Sequence, residues 1–200
     1  MNNVFIEGPV QTGKSTLLRK LLQEKCGPEL EGISGFTSQR VTDDDGNLLG
    51  FRLAPANADL SIALDSFDVG DISEIDHVFK YFTPDGPHVN MEVFERAGIR
   101  YMDEALNNAK AGLTNVILLD EIGGHELASD AFRSKLYELL DSEYPCVGVI
   151  KAPDNTRRMD SSLIEFNAKL HDKIGPTLLS RSFREDLQAA QALKERLRLL

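Results

Sequence analysis

The sequence predicts an α/β fold: a mainly parallel sheet flanked by helices, with one inserted β-hairpin. Three observations predict it. The segments 116–120 (Val-Ile-Leu-Leu-Asp) and 146–150 (Cys-Val-Gly-Val-Ile) are almost wholly apolar rather than alternating, as expected of strands covered on both faces. Stretches of helical periodicity separate such strands, and strand–helix alternation indicates parallel pairing. Two extended segments, 33–41 and 48–54, flank the turn-rich run Thr42-Asp43-Asp44-Asp45-Gly46-Asn47, which reads as a hairpin.

Each element has its own justification. Val4-Phe5-Ile6 is a short apolar run ended by Gly8-Pro9, followed by a glycine-containing turn and the periodic stretch that begins at Thr16-Leu17-Leu18, so strand, loop and helix follow in order. After the hairpin, residues 57–87 carry scattered acids, Gly70, Gly86, Pro84 and Pro87; they are expected to be irregular and exposed, with one strand at 78–82. Helical spacing returns through Val93, Ala97, Tyr101, Ala105 and Leu106, with Gly112 as the stop signal. The strand at 116–120 ends on its single charge. Phe132, Leu136, Leu139 and Leu140 make 129–141 an amphipathic helix. Beyond the strand at 146–150 the sequence reads as a polar stretch, a weak strand at 177–179, and a final helix from about residue 184 carrying Leu187, Ala190, Leu193 and Leu197.

Two hundred residues without an internal repeat or low-complexity linker are expected to form a single domain over 1–200, a length that buries roughly 70% of its unfolded surface. With 32 acidic against 22 basic residues the formal net charge is −10, which argues against a protein that coats nucleic acid or an anionic membrane. Cys26 and Cys146 belong to no CxxC pair, so neither a disulfide framework nor a zinc site is indicated. The first seven residues lack the features of a signal peptide and no run reaches membrane-spanning length, so a cytoplasmic location is expected. The sequence names no protein partner and does not fix the oligomeric state, a monomer being one reading.

Gly8-Pro9-Val10-Gln11-Thr12-Gly13-Lys14-Ser15 satisfies the P-loop pattern GxxxxGK[ST] and lies between a predicted strand and helix, as that chemistry requires. Its glycines let backbone N–H groups face phosphate oxygens, and the start of the next helix, from Lys14 through Thr16, adds partial positive charge. Lys14 is suited to bridge the β- and γ-phosphates of a nucleoside triphosphate such as ATP or GTP, and the Ser15 hydroxyl to ligate Mg²⁺. Asp120, at the end of the apolar strand, stands where a Walker B carboxylate would hold the same Mg²⁺. Glu121 follows it and is placed to polarise water for attack on the γ-phosphorus.

Together Gly8 to Ser15, Gly32-Ile33-Ser34-Gly35-Phe36, Gly50-Phe51 and Asp120-Glu121-Ile122-Gly123 resemble the small nucleoside-triphosphatase family that includes the thermophile and cancer-related NTPases. Val89-Asn90-Met91-Glu92-Val93-Phe94 and Ser182-Phe183-Arg184-Glu185-Asp186-Leu187 extend the likeness through most of the chain. The resemblance implies a RecA/AAA-like core and slow, Mg²⁺-dependent hydrolysis with loose choice of base. It assigns phosphate and metal roles to Lys14, Ser15 and Asp120, the general base to Glu121, and supporting roles to Arg40 and Arg184. The chain departs from the family pattern at Leu48, Gly124-His125 and Phe183.

Other readings stand beside these. Arg40 is either a functional cation or a surface partner of Asp43, Asp44 and Asp45. Arg184 either pairs with an acid at a helix start or neutralises the transferred phosphoryl group. His125 reads as a surface or packing residue, since the four histidines show no ligand spacing, and Phe5, Phe36 and Phe51 read as core. The same P-loop would serve a nucleotide or small-molecule kinase, with an acceptor pocket from residues 57–87, or a nucleotide-controlled adaptor without turnover of its own.

Overall fold

The computed structural model describes residues 3–63, 72, 75–180, 182 and 186–200. Among them the chain runs β1 (Val4–Glu7), α1 (Lys14–Cys26), β2 (Ile33–Thr42), β3 (Leu48–Pro55), β4 (Ser61–Ala63), β5 (Val78–Thr83), β6 (Gly86–Val89), α2 (Met91–Val93), α3 (Ile99–Lys110), β7 (Val116–Ile122), α4 (Asp130–Leu140), β8 (Cys146–Ile150), α5 (Ser161–Ile174), β9 (Leu178–Leu179) and α6 (Leu187–Arg198). A π-helical turn, Phe94–Gly98, joins α2 to α3. All strands share one sheet in the order β6-β5-β3-β2-β7-β8-β1-β9, with β4 pairing β2 beyond the end of β7.

The parallel part, β2-β7-β8-β1-β9, has apolar strands because both of its faces are covered. Val4, Ile6, Val116, Leu118, Val147 and Val149 turn to one face and pack with Leu18, Leu22, Leu193 and Leu197 of α1 and α6. Phe5, Ile117, Leu119, Cys146 and Ile150 turn to the other, against α3, α4 and α5. The alternation along each strand thus sorts two cores rather than a core and a solvent face. At Gly148 the fit is close: a Cβ there would lie 2.7 Å from the Phe5 ring and 2.0 Å from the Leu119 carbonyl oxygen.

The expected hairpin is present, paired from Phe36↔Pro55 to Thr42↔Leu48. It is not set apart from the sheet, however. Ile33 to Phe36 of β2 also pair in parallel with β7, so the hairpin adds β3, and then β5 and β6, as an antiparallel extension. The strand expected at 78–82 is β5. Within residues 57–87, expected to be irregular, β4 and β6 are also ordered, while 64–71, 73 and 74 lie outside the described residues. The larger difference is α5: the stretch after β8 taken as polar contains a 14-residue helix that buries Leu163, Asn167, Leu170 and Ile174 and ends at Gly175, φ 79°.

Candidate functional site

The P-loop connects β1 to α1. Gly13, with φ 85°, occupies the left-handed region that glycine enters without a Cβ clash, and the helix starts at the next residue. No side chain caps this N-terminus, so its first amides keep their donors for an anion. Lys14, largely buried, folds back and donates to the carbonyls of Gly8 (3.2 Å) and Pro9 (2.6 Å). Burial pulls its ammonium pKa down, while Glu121 and Asp120 oppose that shift. The loop is braced from outside as well, since Asn155 Nδ2 donates to Gly8 O at 3.1 Å.

Alternation along β7 decides where the carboxylates go. Val116 and Leu118 face α1, so Asp120 does too, and it meets the first turn of that helix: Ser15 Oγ donates to Asp120 Oδ1 at 2.9 Å. Thr37 of β2, also on that face, donates to Oδ2 at 2.9 Å. Asp120 is only 3% exposed, and its carboxyl is pushed up to about 7, by burial first and by Glu121 second, against the hydrogen bonds from Thr37, Ser15 and Ser38.

Glu121 then breaks the pleat. Its φ of 61° is left-handed, unusual for a residue with a side chain, and pairing slips there: Leu119↔Gly148 is followed by Ile122↔Ile150. Three steps on β7 match two on β8, which is a β-bulge. The extra residue carries Ile122 to the α3–α5 core and leaves Glu121 exposed at the cleft.

The cleft has a volume of about 580 Å³. The P-loop from Val10 to Thr16, Asp120 and Glu121 line it on one side. Arg40 joins them from β2, its backbone N–H donating to Leu60 O at 2.9 Å. Arg184 lies outside the described residues. Phe36 and Phe51, expected as core, border the cleft; Phe36 is buried, while Phe51 is half-exposed and stacks on Phe79 at 6.3 Å. His125, expected as a surface or packing residue, borders it too, and burial, then Lys151 and Lys80, lower its pKa. Sequence reasoning missed Thr37, Lys80, Glu126 and Lys151. Glu126 is buried, and its Oε1 accepts from the amides of Gly123 (2.5 Å) and Gly124 (2.8 Å), fixing the turn after Glu121.

A P-loop joined to the first helix, with a buried carboxylate one strand removed and bonded to the serine after the P-loop lysine, is the arrangement of a phosphate-handling site. Comparison with known proteins identifies which kind. The NTPase family model matches residues 3–175. The chain belongs to the NTPase family. This NTPase is 27% identical over 183 residues to nucleoside-triphosphatase THEP1 of Thermotoga sp. (strain RQ2), spanning 88% of this chain and 93% of that protein. Its fold is similar to the crystal structure of THEP1 from Aquifex aeolicus, with a TM-score of 0.64 at 23% identity over 99% of this chain and 98% of that one. The solution structure of a human cancer-related nucleoside triphosphatase matches with a TM-score of 0.61 at 20% identity, covering 98% and 96%. The NTPase thus has the α/β architecture that its P-loop resemblance implied.

Proposed function

We propose that this NTPase hydrolyses nucleoside triphosphates to diphosphate and phosphate with Mg²⁺ as cofactor, slowly and with little choice of base. The observation that carries the reading is the buried Asp120 carboxylate, hydrogen-bonded to Ser15 beside the phosphate lysine and followed directly by the exposed, left-handed Glu121. Loose base choice is supported by a loop whose contacts reach phosphates, which every triphosphate shares.

The donor set fits Mg²⁺. Asp120 is a buried carboxylate with no cation bonded to it, and Ser15 and Thr37 offer further hard oxygens. Ser15 and Asp120 would hold the ion. When bound there, Mg²⁺ would act as a Lewis acid on the triphosphate and neutralise charge that develops on its oxygens.

The chain's own residues supply the rest. Lys14 exchanges its bonds to Gly8 and Pro9 for phosphate oxygens, and the uncapped amides of α1 orient the triphosphate. Glu121 accepts the proton of the attacking water as oxygen bonds to the γ-phosphorus and the bond to the β–γ bridging oxygen breaks. Free thiols at Cys26 and Cys146 agree with a reducing cytoplasm, and no helix of the described residues is long and apolar enough to cross a membrane.

Purified protein supplied with four triphosphates and Mg²⁺ should release phosphate from all of them, and Lys14→Ala should bind triphosphate at least tenfold more weakly by calorimetry while remaining folded. Unchanged affinity in a folded Lys14→Ala protein would remove Lys14 from the phosphate site. A second reading, transfer to an acceptor alcohol, is favoured by the apolar end of the cleft, where Phe51, Leu53, Phe79 and Phe94 lie. Phosphate release that falls as an acceptor is added, with label appearing on the acceptor, would select it.

A further inference from the structure

Lys151 belongs to no motif, yet the fold carries it to the phosphate site. It is the first residue after β8, the strand between β1, which leads into the P-loop, and β7, which ends at Asp120 and Glu121. Its backbone is fixed on two sides. Its N–H donates to Ile122 O at 2.8 Å, and its carbonyl accepts from Asn167 Nδ2 at 3.0 Å. Asn167, 1% exposed, also donates to Gly123 O at 3.0 Å, so one buried amide on α5 ties the end of β8 to the turn that follows Glu121. The Lys151 carbonyl also lies 3.2 Å from His171 Nε2.

The side chain is just as constrained. Lys151 borders the main cleft and also a crevice of about 40 Å³ formed by Gly8, Val10, Lys14, Glu121 and Asn155 among others. It therefore lies between the P-loop and the proposed base. Its amine takes space that Gly124 leaves open: a Cβ at residue 124 would come within 3.0 Å of Lys151 Nζ. No carboxylate of the described residues lies within ion-pair distance of it; Glu126, whose Oε2 approaches the same Gly124 position at 3.0 Å, attracts it at longer range, while its Oε1 accepts from two backbone amides. Lys80, facing the same cleft from β5, has its ammonium pKa lowered by burial and then by Lys151. A half-buried ammonium that borders both the P-loop and Glu121, with no acid at hydrogen-bond distance among the described residues, keeps its donors for an anionic ligand.

We propose that Lys151 is a catalytic residue that donates to the γ-phosphoryl oxygens as they acquire charge in transfer, a reading that rests on the triphosphatase assignment above. Water oxygen bonds to the γ-phosphorus, the bond to the β–γ bridging oxygen breaks, the diphosphate leaves, and Glu121 takes the water proton. Lys151 keeps its own proton throughout. Lys14 holds the triphosphate before and during transfer, whereas Lys151 gains most when the charge on the equatorial oxygens grows, which is the condition for raising kcat rather than lowering KM.

The test uses the full chain with Lys151→Met, Lys151→Arg and Lys80→Met. Lys151→Met should lower kcat for ATP at least 10²-fold with KM within about threefold, and should lose binding of ADP with aluminium fluoride while ATP binding persists. Lys151→Arg should recover part of kcat. Lys80→Met removes the same charge from the main cleft but not from the crevice, and its kcat should fall by less than tenfold. If Lys151→Met does not fold, Lys151→Gln is read in its place. Wild-type kcat in the Lys151 variants, or an equal loss in Lys80→Met, overturns the proposal. Failure of the triphosphatase reading is distinguishable, because the wild-type protein would then release no phosphate from any triphosphate.

Discussion

Replacing Glu121 by glycine should make the protein more stable and nearly inactive. A residue with a Cβ held at φ 61° carries roughly 1–2 kcal/mol of strain relative to the right-handed region. Glycine removes that strain but loses about 0.5–1 kcal/mol more conformational freedom on folding. Glu121 is exposed, so little packing is lost, and removing its charge relieves the buried Asp120 beside it. The balance favours Glu121→Gly by about 0.5–1 kcal/mol, a rise in Tm of roughly 1–4 °C for a chain of this size. Glu121→Gln is the control, because it keeps the Cβ, and hence the strain, while losing the base; its Tm should stay within about 2 °C of wild type. Hydrolysis should fall by roughly 10² to 10⁴ in both. Calorimetric melting and a phosphate-release assay on the two variants separate the claims. A Glu121→Gly protein that melts below Glu121→Gln would refute the strain argument. Wild-type hydrolysis in either would mean that some other group orients the water.

Asp120→Asn should fold, since it removes an ionisable group from a buried position, and should lower kcat at least tenfold while shifting the Mg²⁺ concentration for half-maximal rate upward; an unchanged Mg²⁺ titration and rate would exclude Asp120 as a ligand. Glu126 gives a pH effect with a definite sign. Burial, its largest influence, raises its carboxyl pKa above the unfolded value, so the folded chain binds more protons between the two values and this group's contribution falls as pH rises from about 4.5 through the folded pKa. Glu126→Gln should flatten that decline in melts taken from pH 5 to 8, and an unaltered slope would show that Glu126 does not titrate in this range.

Much of the site was legible because its chemistry demands particular residues at fixed spacing. Gly8 to Ser15 needs a glycine where φ is 85° and a lysine and hydroxyl just after it, and Asp120 needs an apolar strand before it; each requirement leaves a mark in the sequence. Thr37 left none, because a threonine in a strand is ordinary until the β2–β7 pairing turns it toward the same face as Asp120. Lys80 and Lys151 sit after or within short strands and are individually unremarkable there; only the sheet order brings them to one cleft. Helix α5 was hidden by its exposed residues, although Leu163, Asn167, Leu170 and Ile174 have helical spacing and Gly175 closes it. Asn167 was the misleading position, since a polar side chain on the inner face weakens the apolar stripe.

The bulge at Glu121 explains why a strand pattern alone does not yield the proposed catalytic arrangement. In an unbroken strand Asp120 and Ile122 would share the α1 face, and Glu121 would point to the α3–α5 side with Leu119. A buried acid there would meet Phe132 and Leu127, both fully buried, and Ile122 would crowd the hydroxyls around Asp120. One extra residue in β7 resolves both conflicts at the same step. It returns Ile122 to the apolar core, leaves Asp120 on its two hydroxyls, and swings Glu121 out into the cleft. The Glu126 carboxylate and the Asn167 amide then fix the turn that follows, through the amides of Gly123 and Gly124 and the carbonyl of Gly123. The position of the proposed base therefore depends on polar groups several residues away, which is why it is not a property of the Asp-Glu pair by itself.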